Sequence, residues 1–202
     1  MKATDINLAR DIQFDFEKGL TSFGDMRLLL FDAGAIGLLR QTIIEELGEE
    51  MAHEVFFRFG FLHGYSDFMQ IKLNNAFDTE MDLLASGPVI HTWEGLVHAA
   101  PTAISFKRET GEFDFTGVWT NSYEAEQYLC YNKVGHDPVC WTLTGYASGW
   151  CTGFWGSPLL AMEPHCVGKG DPHCGWDIRP PDRHGPEGQR YARIIQKMLG
   201  GA

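Results

Sequence analysis

The chain has 202 residues, 44% hydrophobic and 13% aromatic, with a formal net charge of -11. That composition supports a real core and excludes a disordered chain. The acidic balance argues against direct nucleic-acid binding, which needs a basic face.

In chain order, residues 1 to 25 are mixed, and IQFDF (12–16) alternates like a short strand. DMRLLLFDAGAIGLLRQTIIEELG (25–48) has apolar residues at helical spacing, with Asp25 placed to cap and Gly48 to terminate. Residues 49–77 read as one or two further amphipathic helices, with His53 and His63 on the polar face. Gly87-Pro88 breaks the pattern. Residues 89–119, which include His91, read as strands, with ETGE (109–112) as a hairpin turn and HAAPTA as an irregular strand edge. NSYEAEQYLCYN (121–132) reads as a helix. DPVCWTLTGYASGWCTGFWG (137–156) reads as a helix beginning near Asp137-Pro138, rich in small residues that permit close packing. PLLAMEPHC and CGWDIR resemble short strands around a polar loop. After Pro180-Pro181, GPEGQRYARIIQKMLGG reads as a linker entering a helix. No apolar run approaches the ~18 residues of a membrane span. The start lacks the apolar core of a signal peptide. The expectation is a soluble cytoplasmic protein with reduced cysteines. Its five cysteines cannot all pair internally.

MEPHCVGKGDPHC (162–174) gathers Glu163, His165, Cys166, His173 and Cys174. Thiolates are favoured zinc ligands, and a loop with two glycines can bring its ends together. Spacing alone leaves open a zinc site, a plain loop with buried thiols, and a Cys166–Cys174 disulfide. Cys140 and Cys151 are further candidate ligands.

The combination of PVCW, GYASG, EPHC and a final cysteine beyond a Gly-rich loop resembles the sensor domain of aromatic-responsive sigma-54 activators, the XylR/DmpR/MopR family. IQFDFEKG, GDMRLLLFDAGAIGLLRQTIIEELG and FFRFGFLHGYSD resemble the same family's N-terminal segment, and the resemblance extends to about residue 180. It implies an α+β chain in three parts. These are a mostly helical N-terminal segment that dimerises (1–88), a 4-vinyl reductase-type effector and zinc domain (89–180), and the start of a linker toward an AAA+ ATPase domain (181–202).

The resemblance also implies site roles. A structural Zn2+ is held by Cys140, Glu163, Cys166 and Cys174. Three thiolates and a carboxylate would leave no open position, which disfavours catalysis. Cys130 and Cys151 are left as small buried residues, and His165 and His173 as exposed or supporting groups. His91 and Trp119 hydrogen-bond the hydroxyl of a phenolic effector, although a strand histidine and tryptophan would ordinarily read as satisfied core. Tyr146 and Trp150, four apart on one helix, are candidate cavity walls or ordinary core. Gly117 and Ala161, if they line the cavity, would widen it for substituted or two-ring phenols. The family further implies a homodimer, and an ATPase repressed until the small aromatic effector binds. Two rivals stand beside this reading. One is a zinc enzyme acting on aromatics, although no nucleophile has a base at motif spacing. The other is a lipid- or protein-binding module of the same superfamily.

Overall fold

The computed structural model describes residues 1–200. A short helix, α1 (Leu8–Asp11), is capped by the Asn7 side chain, which accepts from the Arg10 N–H at 3.1 Å. Strands β1 (Ile12–Asp15), β2 (Leu20–Phe23) and β3 (Met26–Leu28) then form an antiparallel meander. This corrects the helix start expected at Asp25. Gly24 turns the chain at φ 55°, and residues 26–28 pair with β2. The cap is Asp32, whose carboxylate accepts from the Ala35 N–H at 2.8 Å and opens α2 (Ala33–Leu47). Gly48 ends α2 with φ 81°, and α3 (Glu49–Asn74) is one continuous helix.

The largest departure from expectation is α4 (Glu80–Trp93), which carries His91 and runs straight through Pro88. Proline has no N–H to donate to the carbonyl one turn back, which is that of Leu84. The indole Nε1 of Trp150 donates to that carbonyl at 3.2 Å. Gly87 leaves the room, because a side chain there would collide with the Trp150 ring. The apparent helix breaker is therefore a docking place for a distant tryptophan.

β4 (His98–Lys107) and β5 (Glu112–Thr120) form the hairpin around ETGE, with a register shift between Pro101 and Ala103. α5 (Tyr123–Tyr131) follows, capped by Ser122. α6 (Trp141–Trp155) starts just after Cys140, later than the Asp137-Pro138 signal. β6 (Leu160–Met162) and β7 (Cys174–Arg179) complete an antiparallel sheet of order β4-β5-β7-β6, and α7 (Gly185–Gly200) ends the described chain. The fold is α+β, as expected. Residues 201–202 of the expected linker segment lie outside the described residues. Among the described residues, no helix is long and apolar enough to cross a membrane.

Burial alternates along β5, so Phe113, Phe115, Gly117 and Trp119 share the inner face. α6 is buried all round, at twelve of its fifteen residues. It lies backbone to backbone on α3 through Gly60 and Gly64 on one side and Gly145 and Gly149 on the other. A Cβ at Gly149 would overlap the Phe61 carbonyl, and one at Gly64 the Tyr146 carbonyl. The division expected at residue 88 falls inside α4, and α3 buries itself on α6 from beyond that boundary. Helices from both sides therefore share one core. Gly149→Ala should cost ~3 kcal/mol or more, since overpacking against backbone has no soft partner to yield. Urea unfolding of the variant against the parent chain measures this.

Candidate functional site

A cavity of about 20 Å³ lies between α4, α6 and the inner sheet face. That is room for roughly one water molecule. Its walls are apolar and aromatic, including Phe115, Trp119, Tyr146, Trp150 and Trp176. His91 is the titratable imidazole among them, 3% exposed. It stacks on Tyr146 (ring centroids 4.1 Å apart, 10° between planes) and meets Trp119 edge-on at 6.4 Å. Its Nε2 is buried and has no hydrogen-bond partner. Burial, with His63 as a lesser cause, pushes the His91 pKa down to about 3, so the ring is neutral. A neutral imidazole nitrogen in apolar surroundings costs ~1–3 kcal/mol if left unpaired, and a ligand hydroxyl can satisfy it.

The other predicted residues divide. Trp119 sits on β5 opposite Ala99 on one side and Cys174 on the other. Tyr146 donates its hydroxyl proton to Asp67 at 2.9 Å, and Trp150 spends its N–H on Leu84. These two rings therefore offer the cavity faces rather than hydrogen bonds. Gly117 and Ala161 are not among the lining residues. The space beside Gly117 is filled by the Trp176 indole, and the Ala161 N–H donates to Ser148 Oγ at 2.8 Å. The wider cavity expected from these two small residues is not what the packing makes. Trp176 was missed in the sequence; it lines the cavity, and its Nε1 is buried without a partner. The only sequence signal was an aromatic at an inward position of CGWDIR, which equally describes core.

The second constellation lies at the N-terminal end of α6. The ligand atoms of Cys140, Glu163, Cys166 and Cys174 all lie within 4.8 Å of one another, and all four residues are buried. Cys174 Sγ is 3.6 Å from Cys140 Sγ and 4.0 Å from Cys166 Sγ. Thiolates about 2.3 Å from a tetrahedral zinc stand roughly 3.8 Å apart, so these separations fit its edges. They are far beyond the ~2.05 Å of a disulfide. Glu163 Oε2 accepts from the Cys140 N–H at 3.0 Å, while Oε1 is buried with no partner. The Val139 N–H donates to Cys166 Sγ at 3.4 Å and the Val167 N–H to Cys174 Sγ at 3.3 Å. Burial raises both the Cys140 thiol and the Glu163 carboxyl, the latter to about 8. Three thiols and a carboxyl packed this closely ionise together only around a cation. The donor set therefore fits a metal ion and leaves no group over.

Cys151 is buried on the cavity wall, outside this cluster. Cys130 is exposed on α5, which corrects its reading as a buried residue. His165 is exposed, with its ring 5.5 Å from that of His173; neither joins the cluster. His53 and His63 also depart from the polar face assigned to them. His53 stacks on Trp141 at 4.8 Å and meets Tyr191 Oη at 2.7 Å, while His63 is half-buried beside Asp67 and Glu94.

Residues 7–107 match the XylR_N family, described as activator of aromatic catabolism. The chain belongs to this family. The match spans the first half of the chain, up to the end of β4, and includes α4 with His91. A crystal structure of the phenol-responsive sensory domain of the transcription activator PoxR with phenol is similar at TM-score 0.88 and 30% identity. The similarity covers 96% of this chain and 95% of that one. The phenol regulator MopR of Acinetobacter guillouiae is 30% identical over 168 residues. The transcriptional regulatory protein XylR of Pseudomonas putida is 28% identical over 170 residues. Each alignment covers 83% of this chain but 30% of the relative, so the XylR_N chain described here spans under a third of their length.

Two outcomes follow from this geometry. Cys174→Ser should lose bound metal and lower the melting temperature together, by roughly 10 °C, because ligation and folding are linked. Elemental analysis beside calorimetry checks both. For His91 the folded pKa lies below the ordinary 6.5, so the unfolded state binds the extra proton. Its contribution to stability is complete above pH 6.5 and is lost as pH falls toward 3. His91→Phe should therefore lose less melting temperature than the parent chain between pH 6.5 and pH 4.

Proposed function

We propose that this chain is the effector-sensing part of a larger transcription activator and binds a single-ring phenol in the cavity between α4 and α6. The observation that carries this is the buried, unpartnered Nε2 of His91 in a chamber walled by apolar and aromatic side chains. A hydrocarbon would leave that nitrogen unpaired, whereas a phenol hydroxyl pairs it. Trp119 is the second anchor: its indole donates while neutral His91 accepts, so one hydroxyl satisfies both. Tyr146 and Trp150 sandwich the ring. With the walls as they stand, even a single ring needs them to give outward. A second ring would require Tyr146 or Trp150 to leave a hydrogen bond. PoxR, so similar in fold, is described as phenol-responsive, which supports the same ligand class.

The ion at the Cys140–Glu163–Cys166–Cys174 cluster is Zn2+ in this reading, and its role is structural. Bound there, zinc supplies a closed tetrahedral clamp and no open position for water. The remaining two-thirds of such a regulator would hold the AAA+ ATPase domain that this domain represses until effector arrives, and would itself contact DNA. The 1–88 and 89–180 segments then act as one sensing unit, 181–202 leads toward the ATPase, and the setting is cytoplasmic. A second copy of the chain is the partner for the exposed apolar stripe Val55, Phe59, Leu62, Met69 and Leu73 on α3, whose spacing suits helix pairing.

Titration calorimetry of the zinc-loaded chain tests the anchor. His91→Ala should weaken phenol binding about tenfold or more, and toluene binding far less. Equal losses for both would remove the anchoring role. Binding of a long-chain fatty acid in place of any phenol would favour the lipid-binding alternative.

A further inference from the structure

Behind the cavity wall lies a titratable cluster that neither the metal centre nor the hydroxyl anchor uses. Asp67, on α3, is 4% exposed. Its carboxylate accepts the Tyr146 hydroxyl at 2.9 Å and lies 3.4 Å from His63 Nε2. The same His63 nitrogen lies 3.4 Å from Glu94, at the C-terminal cap of α4. Burial opposes charge on His63, but Glu94 and Asp67 hold its pKa up to about 9. Burial and the Glu94 carboxylate push Asp67 up to about 7. One imidazolium thus bridges two carboxylates, one from the helix that faces Tyr146 and one from the helix that carries His91.

Tyr146 is held at its backbone, its hydroxyl and one ring face. Its backbone rests on Gly64, and its hydroxyl is tied to Asp67, both residues of α3. One face stacks on His91, and the His63 ring meets it edge-on at 5.1 Å. A buried carboxylate adds no hydrophobic stabilisation and costs desolvation, so what it supplies here is fixed geometry.

We propose that Asp67 is a positioning residue that sets effector specificity: by holding the Tyr146 hydroxyl it fixes the ring that limits the width of the cavity. The proposal rests on the reading of the cavity as a phenol site. Freed of Asp67, the Tyr146 side chain can turn and open space for a second ring.

The test is calorimetric affinity for phenol and for 2-hydroxybiphenyl, measured on the zinc-loaded parent chain and on Asp67→Ala, Asp67→Asn, Tyr146→Phe and the Asp67→Ala/Tyr146→Phe double variant. The parent should prefer phenol. Asp67→Ala should shift the affinity ratio toward 2-hydroxybiphenyl by about tenfold, the effect of losing one buried hydrogen bond. Tyr146→Phe should shift it the same way, and the double variant no further, because both remove one interaction. Asp67→Asn keeps an acceptor and should retain the parent ratio. A general loss of packing would weaken both ligands without moving the ratio. An unchanged ratio in Tyr146→Phe overturns the proposal even if Asp67→Ala does not fold, and so does full additivity in the double variant. If the parent binds neither phenol, the phenol-site reading itself fails and this proposal with it. Phenol binding with unmoved ratios overturns the Asp67 role alone.

Discussion

A helix buried on every side has no solvent face to tolerate error, so its placement must be specified by backbone contact and at its ends. α6 is that helix. Glycines on α6 and α3 bring the two backbones together, which removes rotational play that longer side chains would allow. At its start, the N–H groups of Thr142 and Leu143 each donate to the Glu124 carboxylate at 3.0 Å. That carboxylate lies 3.4 Å from Arg40 of α2, whose guanidinium also covers the Trp141 ring at 3.7 Å. Anions at a helix N-terminus are favoured by its dipole, and here the anion is itself neutralised by a buried cation.

The same helix end carries Cys140, so one element joins the metal-fitting cluster to a wall of the cavity. Cys140 precedes α6, which bears Tyr146 and Trp150. Cys174 opens β7, which bears Trp176, and pairs across the sheet with Trp119. An ion joining Cys140 to Cys174 would tie these opposite walls of the cavity together while standing apart from the residues that line it.

Local signals in the sequence carried much of this. The ETGE hairpin, the Gly48 helix stop and the paired strands around the polar loop all depend on nearest neighbours, whereas the set Cys140, Glu163, Cys166 and Cys174 came from the family resemblance, since spacing alone left a plain loop and a disulfide open. What escaped depends on partners far along the chain. Pro88 reads as a break because nothing nearby shows that Trp150 will supply the missing donor. Asp25 reads as a cap because apolar residues follow it at helical spacing, but the pairing of residues 26–28 with β2 outweighs that periodicity. Gly117 reads as free space because the Trp176 ring that fills it arrives from another strand. His63 reads as a polar-face helix residue until α3 and α4 bring it beside Asp67 and Glu94. His91 was expected on a strand and lies on α4, and only the fold shows its nitrogen to be unpartnered.

The most direct test is a crystal structure of the chain with phenol. The account predicts the phenol ring between the Tyr146 and Trp150 walls, with its oxygen about 2.7–3.0 Å from His91 Nε2. A phenol bound elsewhere, or one in this cavity with its oxygen turned away from His91, would contradict it.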